Sequence, residues 1–158
     1  MTGQDGLCVD RIVIAGEIVC AALLCDGHGG HEAAVLVLNE LVALVHRYAV
    51  DGSSAALAAA ARRAFAECHE KLQVGTTAGT TATLVLVNES SAEITCASVG
   101  DSFAVLYEAP APTLSRLLSH ESQVLCTKEN VATNTMRECC ATTSRSLIRQ
   151  NDKARQQT

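Results

Sequence analysis

The chain has 158 residues and a formal net charge of -5 at pH 7, with 48% hydrophobic but only 3% aromatic residues. This length suits one domain with a sizeable core, built mainly from alanine, valine and leucine. The acidic balance argues against nucleic acid and anionic membranes as partners, since both attract basic surfaces. No apolar run reaches the roughly 18 residues of a membrane span, and no signal peptide is visible, so we expect a cytoplasmic or nuclear protein.

The first half of the chain predicts a hairpin followed by two helices. Residues 7–14 alternate loosely between apolar and polar, and Gly16 offers a turn before the apolar run 18–24. Residues 31–48 have helical periodicity and are apolar on most sides. A polar stretch then supplies an N-cap for a second helix over residues 55–72, with one packed and one wet face.

The second half is rich in strands. Residues 82–87, 93–99 and 103–107 are three β-rich runs joined by short turns, which predicts an antiparallel meander. Residues 114–118 indicate one more strand. From residue 124 to 140 the apolar residues are scattered, so we expect a short helix or two, followed by a frayed tail.

The stretch LLCDGHGGH, which follows the second predicted strand, holds the strongest candidate site. We expect Asp26 at a sharp turn built from Gly27, Gly29 and Gly30, with His28 between the glycines. A carboxylate and an imidazole at a strand end, beside glycines that let backbone approach a ligand, suit a metal or phosphate site. The alternative is an ordinary turn in which Asp26 caps the following helix.

The eight cysteines lack paired CxxC spacing, and most lie within apolar segments. We interpret them as small core residues in a reducing compartment. An alternative is a zinc cluster of Cys25, His28 and His31 at three-residue spacing. That spacing fits no standard zinc pattern, and no fourth ligand is apparent.

Four short stretches, in order along the chain, resemble motifs of the metal-dependent type 2C (PPM-type) Ser/Thr protein phosphatases. They are Gln4-Asp5, CDGHGG at 25–30, GTTAT at 79–83 and SVGDS at 98–102. A fainter match, LSHES at 118–122, has Glu-Ser where the family usually has Asp-His. We therefore expect residues 1–122 to be the N-terminal part of a phosphatase-like domain, truncated after roughly its first half, and residues 123–158 to be a weakly matched helical or irregular segment.

The resemblance implies an α+β fold, a sandwich of antiparallel β-sheets flanked by helices, with two Mg²⁺ or Mn²⁺ ions at one end. By this analogy Asp26 bridges both ions, and the backbone carbonyl of Gly27 binds one of them. Asp5 supports the metal-bound waters, Asp101 helps hold a further metal ion, and His28 protonates the leaving serine or threonine oxygen. The residue types suit this chemistry, because hard divalent cations take oxygen ligands and lower the pKa of bound water.

The resemblance also implies hydrolysis of phosphoserine and phosphothreonine in protein substrates by a metal-activated water. The later metal-binding aspartates of the family have no counterpart here, because Asp152 is the only aspartate after Asp101. We therefore expect an incomplete metal site with weak turnover. The alternative is a catalytically silent phosphatase-like protein with a binding or regulatory role.

Two further hypotheses come from other classes of protein. A serine esterase would use Gly100-Asp101-Ser102 as its nucleophile turn, but that family carries the motif near its chain start, so we interpret Ser102 as a strand-end turn residue. A sheet that stops midway leaves strands unpaired, so an exposed sheet edge is expected to allow self-association or pairing with a partner.

Overall fold

A computed structural model describes residues 4–108, 113–116 and 126–128, and the side chains of residues 4–106. The described residues form two helices and seven strands, in the order β1 (Gly6–Ile14), β2 (Glu17–His28), α1 (Glu32–Tyr48), α2 (Ser54–Gly75), β3 (Gly79–Asn88), β4 (Glu93–Val99), β5 (Val105–Glu108), β6 (Thr113–Arg116) and β7 (Cys126–Lys128). The predicted order of a hairpin, two helices and further strands is confirmed.

The strands form two antiparallel sheets. The larger sheet has five strands in the order β1-β2-β3-β4-β7, and the smaller one pairs β5 with β6. Both helices lie between β2 and β3 in the chain and pack on one face of the larger sheet. The predicted class, α+β with antiparallel sheets flanked by helices, is confirmed.

Alternation along the central strands divides the larger sheet into two faces. Odd-numbered residues of β2, such as Leu23, and even-numbered residues of β3, such as Leu84, pack against Leu41 and its neighbours on the helices. The opposite face of β3 and β4 packs against the segment that enters β5, in a smaller cluster of Val85, Ile94, Cys96, Ala104 and Leu106. The helix-side core and the opposite face therefore belong to alternate residues of the same strands.

Small residues bring the two helices close together and onto the sheet. The buried face of α2 is mostly alanine, with Leu57 and Cys68 near its ends. Ser53 caps the first turn of α2, because its hydroxyl accepts a hydrogen bond from the amide of Ala56 at 3.3 Å. The interpretation of the cysteines as core residues is confirmed for four of those with described side chains, which are buried: Cys20, Cys25, Cys68 and Cys96.

The β1–β2 hairpin turns through only two residues, since Ile14 pairs with Glu17. Ala15 and Gly16 both have positive φ, 51° and 86°. This is the backbone pattern of a type I′ turn, whose twist matches that of the flanking strands. The turn thereby fixes the register of nine residue pairs along the hairpin.

The predicted meander is wrong in its third strand. β5 begins at Val105, two residues later than residues 103–107 predict, and pairs with β6 rather than with β4. The physical reason lies at Gly100, whose φ of 94° turns the chain away from the direction of β4. Ala104 and Leu106 then pack onto the face of the larger sheet instead of extending its edge.

The last described strands also differ from the sequence prediction. The strand expected over residues 114–118 is β6, shifted towards the N-terminus. The helix expected over residues 124–140 is wrong at Cys126–Lys128, because these residues pair with the free edge of β4 as β7. The rest of that expected helix and the tail lie outside the described residues.

β1 forms one edge of the larger sheet and pairs, among the described strands, only with β2. Leu7, Val9 and Val13 alternate along it on the face opposite the helices and are each more than half exposed, at 57%, 59% and 58%. An edge strand with exposed apolar residues is a surface to which another strand can add. Neither described helix is long and apolar enough to pass through a membrane.

Candidate functional site

The residues expected in a sharp turn after the second strand belong to the strand itself. β2 continues through Asp26, Gly27 and His28, which pair with Thr81, Thr80 and Gly79 of β3. The chain turns only afterwards, at the next two glycines, where φ is 72° and 146°. The prediction of a turn at Asp26 is wrong because hydrogen bonding to β3 continues the strand past the apolar run that marked it in the sequence.

Asp26 does not cap helix α1. The N-cap position is His31, and no side chain forms the capping hydrogen bond there. The alternative interpretation of Asp26 as a helix-capping residue is therefore wrong. Asp26 lies instead within β2, three residues before the turn begins at Gly29.

The strand register places Asp5 and Asp26 side by side. Gly6 pairs with Cys25, so one step further along the two strands Asp5 comes opposite Asp26. Cys25 belongs to the core on the helix side, and alternation puts the two carboxylates on the other face of the sheet. Across β3 the same row continues to Thr81, the partner of Asp26.

Two glycines let other groups approach Asp26 and its neighbours closely. A Cβ atom at Gly27 would overlap the carbonyl oxygen of Gln4, so only glycine lets the chain before β1 pass this near to β2. A Cβ atom at Gly79 would lie 2.6 Å from Cε1 of the His28 ring. These contacts set the positions of Asp5 and His28 beside Asp26.

Three titratable side chains act on the carboxylate of Asp26. Burial raises the pKa of Asp26, and the charge of Asp5, a hydrogen bond to Asp5 and the charge of Asp101 raise it further, while His28 acts in the opposite direction. Asp26 is half-buried, whereas the other three side chains are exposed. Asp5, His28 and Asp101 are therefore near enough to Asp26 for their charges to act on its carboxylate.

Hydroxyl groups connect Asp26 to the segment that carries Asp101. The amide of Asp26 donates to Oγ1 of Thr81 at 3.3 Å, and this oxygen lies 2.8 Å from Oγ of Ser102. From the next strand, Oγ of Ser98 donates to the carbonyl of Ser102 at 3.0 Å and lies 2.9 Å from Oγ1 of Thr83. On the other side of Asp26, its carbonyl accepts from the hydroxyl of Thr80 at 3.2 Å.

Comparison with known proteins agrees with this geometry. The family model described as Protein phosphatase 2C matches residues 21–120, which include Asp26, His28 and Asp101. This chain belongs to the protein phosphatase 2C family. No curated protein matches the chain.

Solved structures show the same fold. A bacterial serine phosphatase bearing a mutation superposes with a TM-score of 0.60 at 19% identity, over 80% of this chain and 64% of that one. The phosphatase domain of SpoIIE from Bacillus subtilis, in a crystal form without domain swapping, gives 0.51 at 14% identity, over 84% and 57%. The chain thus spans less than two thirds of either structure, and identities this low show the fold alone.

The protein phosphatase 2C family is generally metal-dependent, and the donor chemistry of the site suits such an ion. Three carboxylates and a glycine-bordered backbone provide the oxygen ligands that Mg²⁺ and Mn²⁺ take. Within residues 4–108 and the two short strands beyond them, no three His, Cys, Asp or Glu side chains are arranged to hold a metal ion. The carboxylates therefore fit a divalent cation in chemistry, but the described residues do not complete its ligand shell.

The alternative zinc cluster finds no support in the described structure. Cys25 is fully buried in the core on the helix side, where burial raises the pKa of its thiol to about 12. His28 and His31 are exposed, and the three form no metal-binding group. The parity of β2 explains this, because Cys25 and His28 point to opposite faces of the sheet.

Ser102 has the surroundings of a structural residue. The hydrogen-bond partner of its hydroxyl, among the described side chains, is Thr81 rather than a histidine. A serine esterase requires a base in contact with the nucleophile. The interpretation of Ser102 as a turn residue agrees with these contacts.

The hydroxyl contacts are the part of the site that sequence reasoning missed. Thr81 and Ser98 lie within the family motifs without a predicted role, and Ser102 was interpreted only as a turn residue. Thr81 lies on the same face as Asp26 because the two residues pair across β2 and β3, a register that periodicity within either strand does not give. Ser102 lies in a turn, where no periodicity indicates which way a side chain faces.

Proposed function

We propose that this chain is a metal-dependent protein serine/threonine phosphatase whose cation site is centred on Asp26. The observation that carries the proposal is the strand register that brings Asp5 opposite Asp26, a residue within the family match over residues 21–120. The charges of Asp5 and Asp101 also raise the pKa of Asp26. Carboxylates brought together in this way repel one another. A divalent cation removes that repulsion, which makes such a cluster a favourable place for one.

The proposed ligands are Asp26, Asp101 and the backbone carbonyl of Gly27, with Asp5 holding metal-bound water. When bound, Mg²⁺ or Mn²⁺ would supply an activated water and offset the charge on the phosphoryl oxygens. The protein's own contribution is to hold these oxygens in place. Gly27 serves this purpose because its missing side chain lets the backbone next to Asp5 approach β2.

His28 is the proposed general acid. It lies on the strand residue two positions after Asp26, it is exposed, and its charge acts on the carboxylate of Asp26. An imidazolium group at this place can donate a proton to the leaving oxygen of a serine or threonine.

The proposed substrates are phosphoserine and phosphothreonine side chains of other proteins. Three of the four charged groups of the site are exposed, and they lie at one end of the sheet rather than in a closed cavity. A site this open can admit a phosphorylated side chain that is still attached to a folded surface. A small-molecule phosphatase would be expected to enclose its substrate more fully.

The experiment is hydrolysis of an aryl phosphate with added Mn²⁺, comparing the wild-type chain with Asp26→Asn. We expect slow turnover that depends on Mn²⁺ and falls at least about 100-fold in the variant. The control is Asp10→Asn, an exposed carboxylate in β1. Circular dichroism shows whether each variant folds, and activity that survives Asp26→Asn contradicts the proposal.

A catalytically silent binding protein is the second candidate. The observation that favours it is the absence, among the described residues, of a complete set of metal ligands. A silent relative would bind a phosphoserine peptide without releasing phosphate. Fluorescence anisotropy of such a peptide, measured beside phosphate release, separates the two functions: binding without turnover favours the silent protein.

The edge strand β1 supports a further part of the proposal, namely self-association through the sheet edge. Leu7, Val9 and Val13 are exposed along this edge. We expect a concentration-dependent dimer in analytical ultracentrifugation, weakened by Val9→Lys because a charge on an edge strand opposes pairing. A monomer at all concentrations would contradict it.

A further inference from the structure

Two strands hold the turn that carries Asp101, and both do so through hydroxyl groups. From β3, Thr81 contacts the side chain of Ser102 at 2.8 Å. From β4, Ser98 donates to the backbone carbonyl of Ser102 at 3.0 Å. The residue directly after Asp101 is therefore held through its side chain and through its backbone.

Thr81 is the member of this network that also contacts Asp26. Its Oγ1 accepts the amide hydrogen of Asp26 at 3.3 Å, so one oxygen lies between the backbone of Asp26 and the hydroxyl of Ser102. A hydroxyl has one donor and two acceptor sites, which allows both bonds at once. Thr81 thereby connects the two segments that carry the carboxylates.

The methyl group of Thr81 makes a second contact with the same turn. A Cβ atom at Gly100 would lie 2.7 Å from Cγ2 of Thr81, so the methyl group packs directly on the glycine backbone. Gly100 has a φ of 94°, which side chains rarely adopt. Threonine supplies both the hydroxyl and the methyl group that meet this turn, whereas valine supplies only the shape and serine only the hydroxyl.

We propose that Thr81 is a positioning residue, whose hydroxyl couples the backbone of Asp26 to Ser102 and so restrains the segment that carries Asp101 relative to Asp26. The inference rests on the proposed function, because it assigns Thr81 a part in forming the cation site. Such a link is needed since Asp101 is exposed and carries the same charge as Asp26, so repulsion favours their separation. A fixed hydrogen-bond link keeps the ligand oxygens close before a cation binds.

The experiment compares Thr81→Val, Thr81→Ser, Ser102→Ala and the double variant Thr81→Val/Ser102→Ala. Two quantities are measured: Mn²⁺ affinity, from the electron paramagnetic resonance signal of free Mn²⁺, and the amide hydrogen exchange of residues 100–103. The matched control is Thr77→Val, because Thr77 is exposed and its hydroxyl makes no hydrogen bond within the described residues. Neither quantity requires turnover.

We expect Thr81→Val to weaken Mn²⁺ binding about tenfold and to speed exchange in the turn, as loss of a group that orients ligands does elsewhere. Thr81→Ser should retain most of the affinity, because it keeps the hydroxyl. The double variant should be no worse than Thr81→Val alone, since both changes break the same link. The Thr77→Val control should match the wild-type chain in both quantities.

Three results would overturn the inference. Unchanged Mn²⁺ affinity or unchanged amide exchange in Thr81→Val shows that the Thr81 hydroxyl does not restrain the turn that carries Asp101. Additive losses in the double variant show that Thr81 and Ser102 act separately. A wild-type chain that binds no Mn²⁺ instead contradicts the proposed function, and the exchange of residues 100–103 then decides whether the link exists.

Discussion

The ring of His28 lies across Gly79, its partner on the neighbouring strand. The two residues pair at the end of the β2–β3 ladder, and a Cβ atom at position 79 would overlap the imidazole. Gly79 opens the GTTAT motif, so the glycine of one motif accommodates the histidine of another. The position of His28, the proposed general acid, thus depends on the absence of a side chain at Gly79, which lies two strands away from Asp5.

Gly79→Ala is expected to reduce activity with little effect on stability. The new methyl group displaces the imidazole, and an exposed ring can rotate away at small cost in folding free energy. We expect the rate of aryl phosphate hydrolysis to fall about 100-fold, to the level of His28→Ala, since both remove the general acid. Gly75→Ala is the matched control, because nothing lies within 4 Å of a Cβ atom there. Full activity in Gly79→Ala would show that the ring position is unimportant.

Asn88 is expected to be the polar side chain whose loss destabilises the fold most. It is 1% exposed, and its amide donates to Oε2 of Glu17 and to the carbonyl of Gly52, each at 2.8 Å. Asn88→Ala removes the partner of the buried Gly52 carbonyl and of the half-buried Glu17 carboxylate, at a cost of about 2 kcal/mol. Urea unfolding measures it, with the exposed Asn39→Ala as control; equal midpoints for the two variants would contradict this role.

Glu67 is expected to make the stability of the helix pair decrease as the pH falls into the acidic range. The Tyr48 hydroxyl and the Lys71 ammonium group bond its carboxylate and hold the pKa of Glu67 below its usual value. A lowered folded-state pKa gives stability that is present above the unfolded pKa of about 4.3 and is lost as the pH falls through the folded value. The melting temperatures of wild type and Glu67→Gln should therefore differ at neutral pH and converge in acid.

The size of the Glu67 effect is expected to be small, since the group is at the surface and salt screens it. Glu70→Gln serves as control: Glu70 lies on the same helix and has no ion pair among the described residues. Scanning calorimetry across the acid range gives the comparison. A difference between wild type and Glu67→Gln that stays constant with pH would mean that the carboxylate charge contributes nothing.

Ala15→Asn is expected to stabilise the chain. Ala15 has a φ of 51°, a conformation that costs an alanine about 1 kcal/mol and that asparagine tolerates better. The expected gain is about 0.5 kcal/mol in the free energy of unfolding. Ala43→Asn, at an exposed position of α1, should instead destabilise through lower helix propensity. If both variants lose stability, the backbone conformation of Ala15 carries no strain.

The sequence predicted the elements whose signals are local. Periodicity indicated both helices, and Gly16 marked the hairpin turn between two apolar runs. The strand with which each strand pairs could not be predicted in the same way. β5 has the composition of a meander strand, yet it pairs with β6. The direction of the chain after Gly100 decides this pairing, and a backbone angle at one glycine leaves no periodic signal.

The candidate site was predicted to a similar degree. The motifs named Asp5, Asp26, His28 and Asp101, and in the structure the charges of the other three act on Asp26. It was not predicted that Asp26 lies inside a strand, because hydrogen bonding to β3 extends β2 beyond its apolar residues. The hydroxyl link through Thr81 depends on the register of two strands, which the sequence of either one does not contain.

The odd-numbered and even-numbered residues of β2 lie on opposite faces of the sheet and have different roles. Its odd-numbered residues, Cys25 among them, fill the core beneath the helices, while Asp26 faces the opposite way. A single inserted residue between the turn at Ala15 and Asp26 would exchange these rows, burying a carboxylate and exposing a thiol. An insertion of two residues would keep each side chain on its own face. Length changes in this hairpin should therefore be tolerated only in steps of two, because β2 carries core residues on one face and proposed site residues on the other.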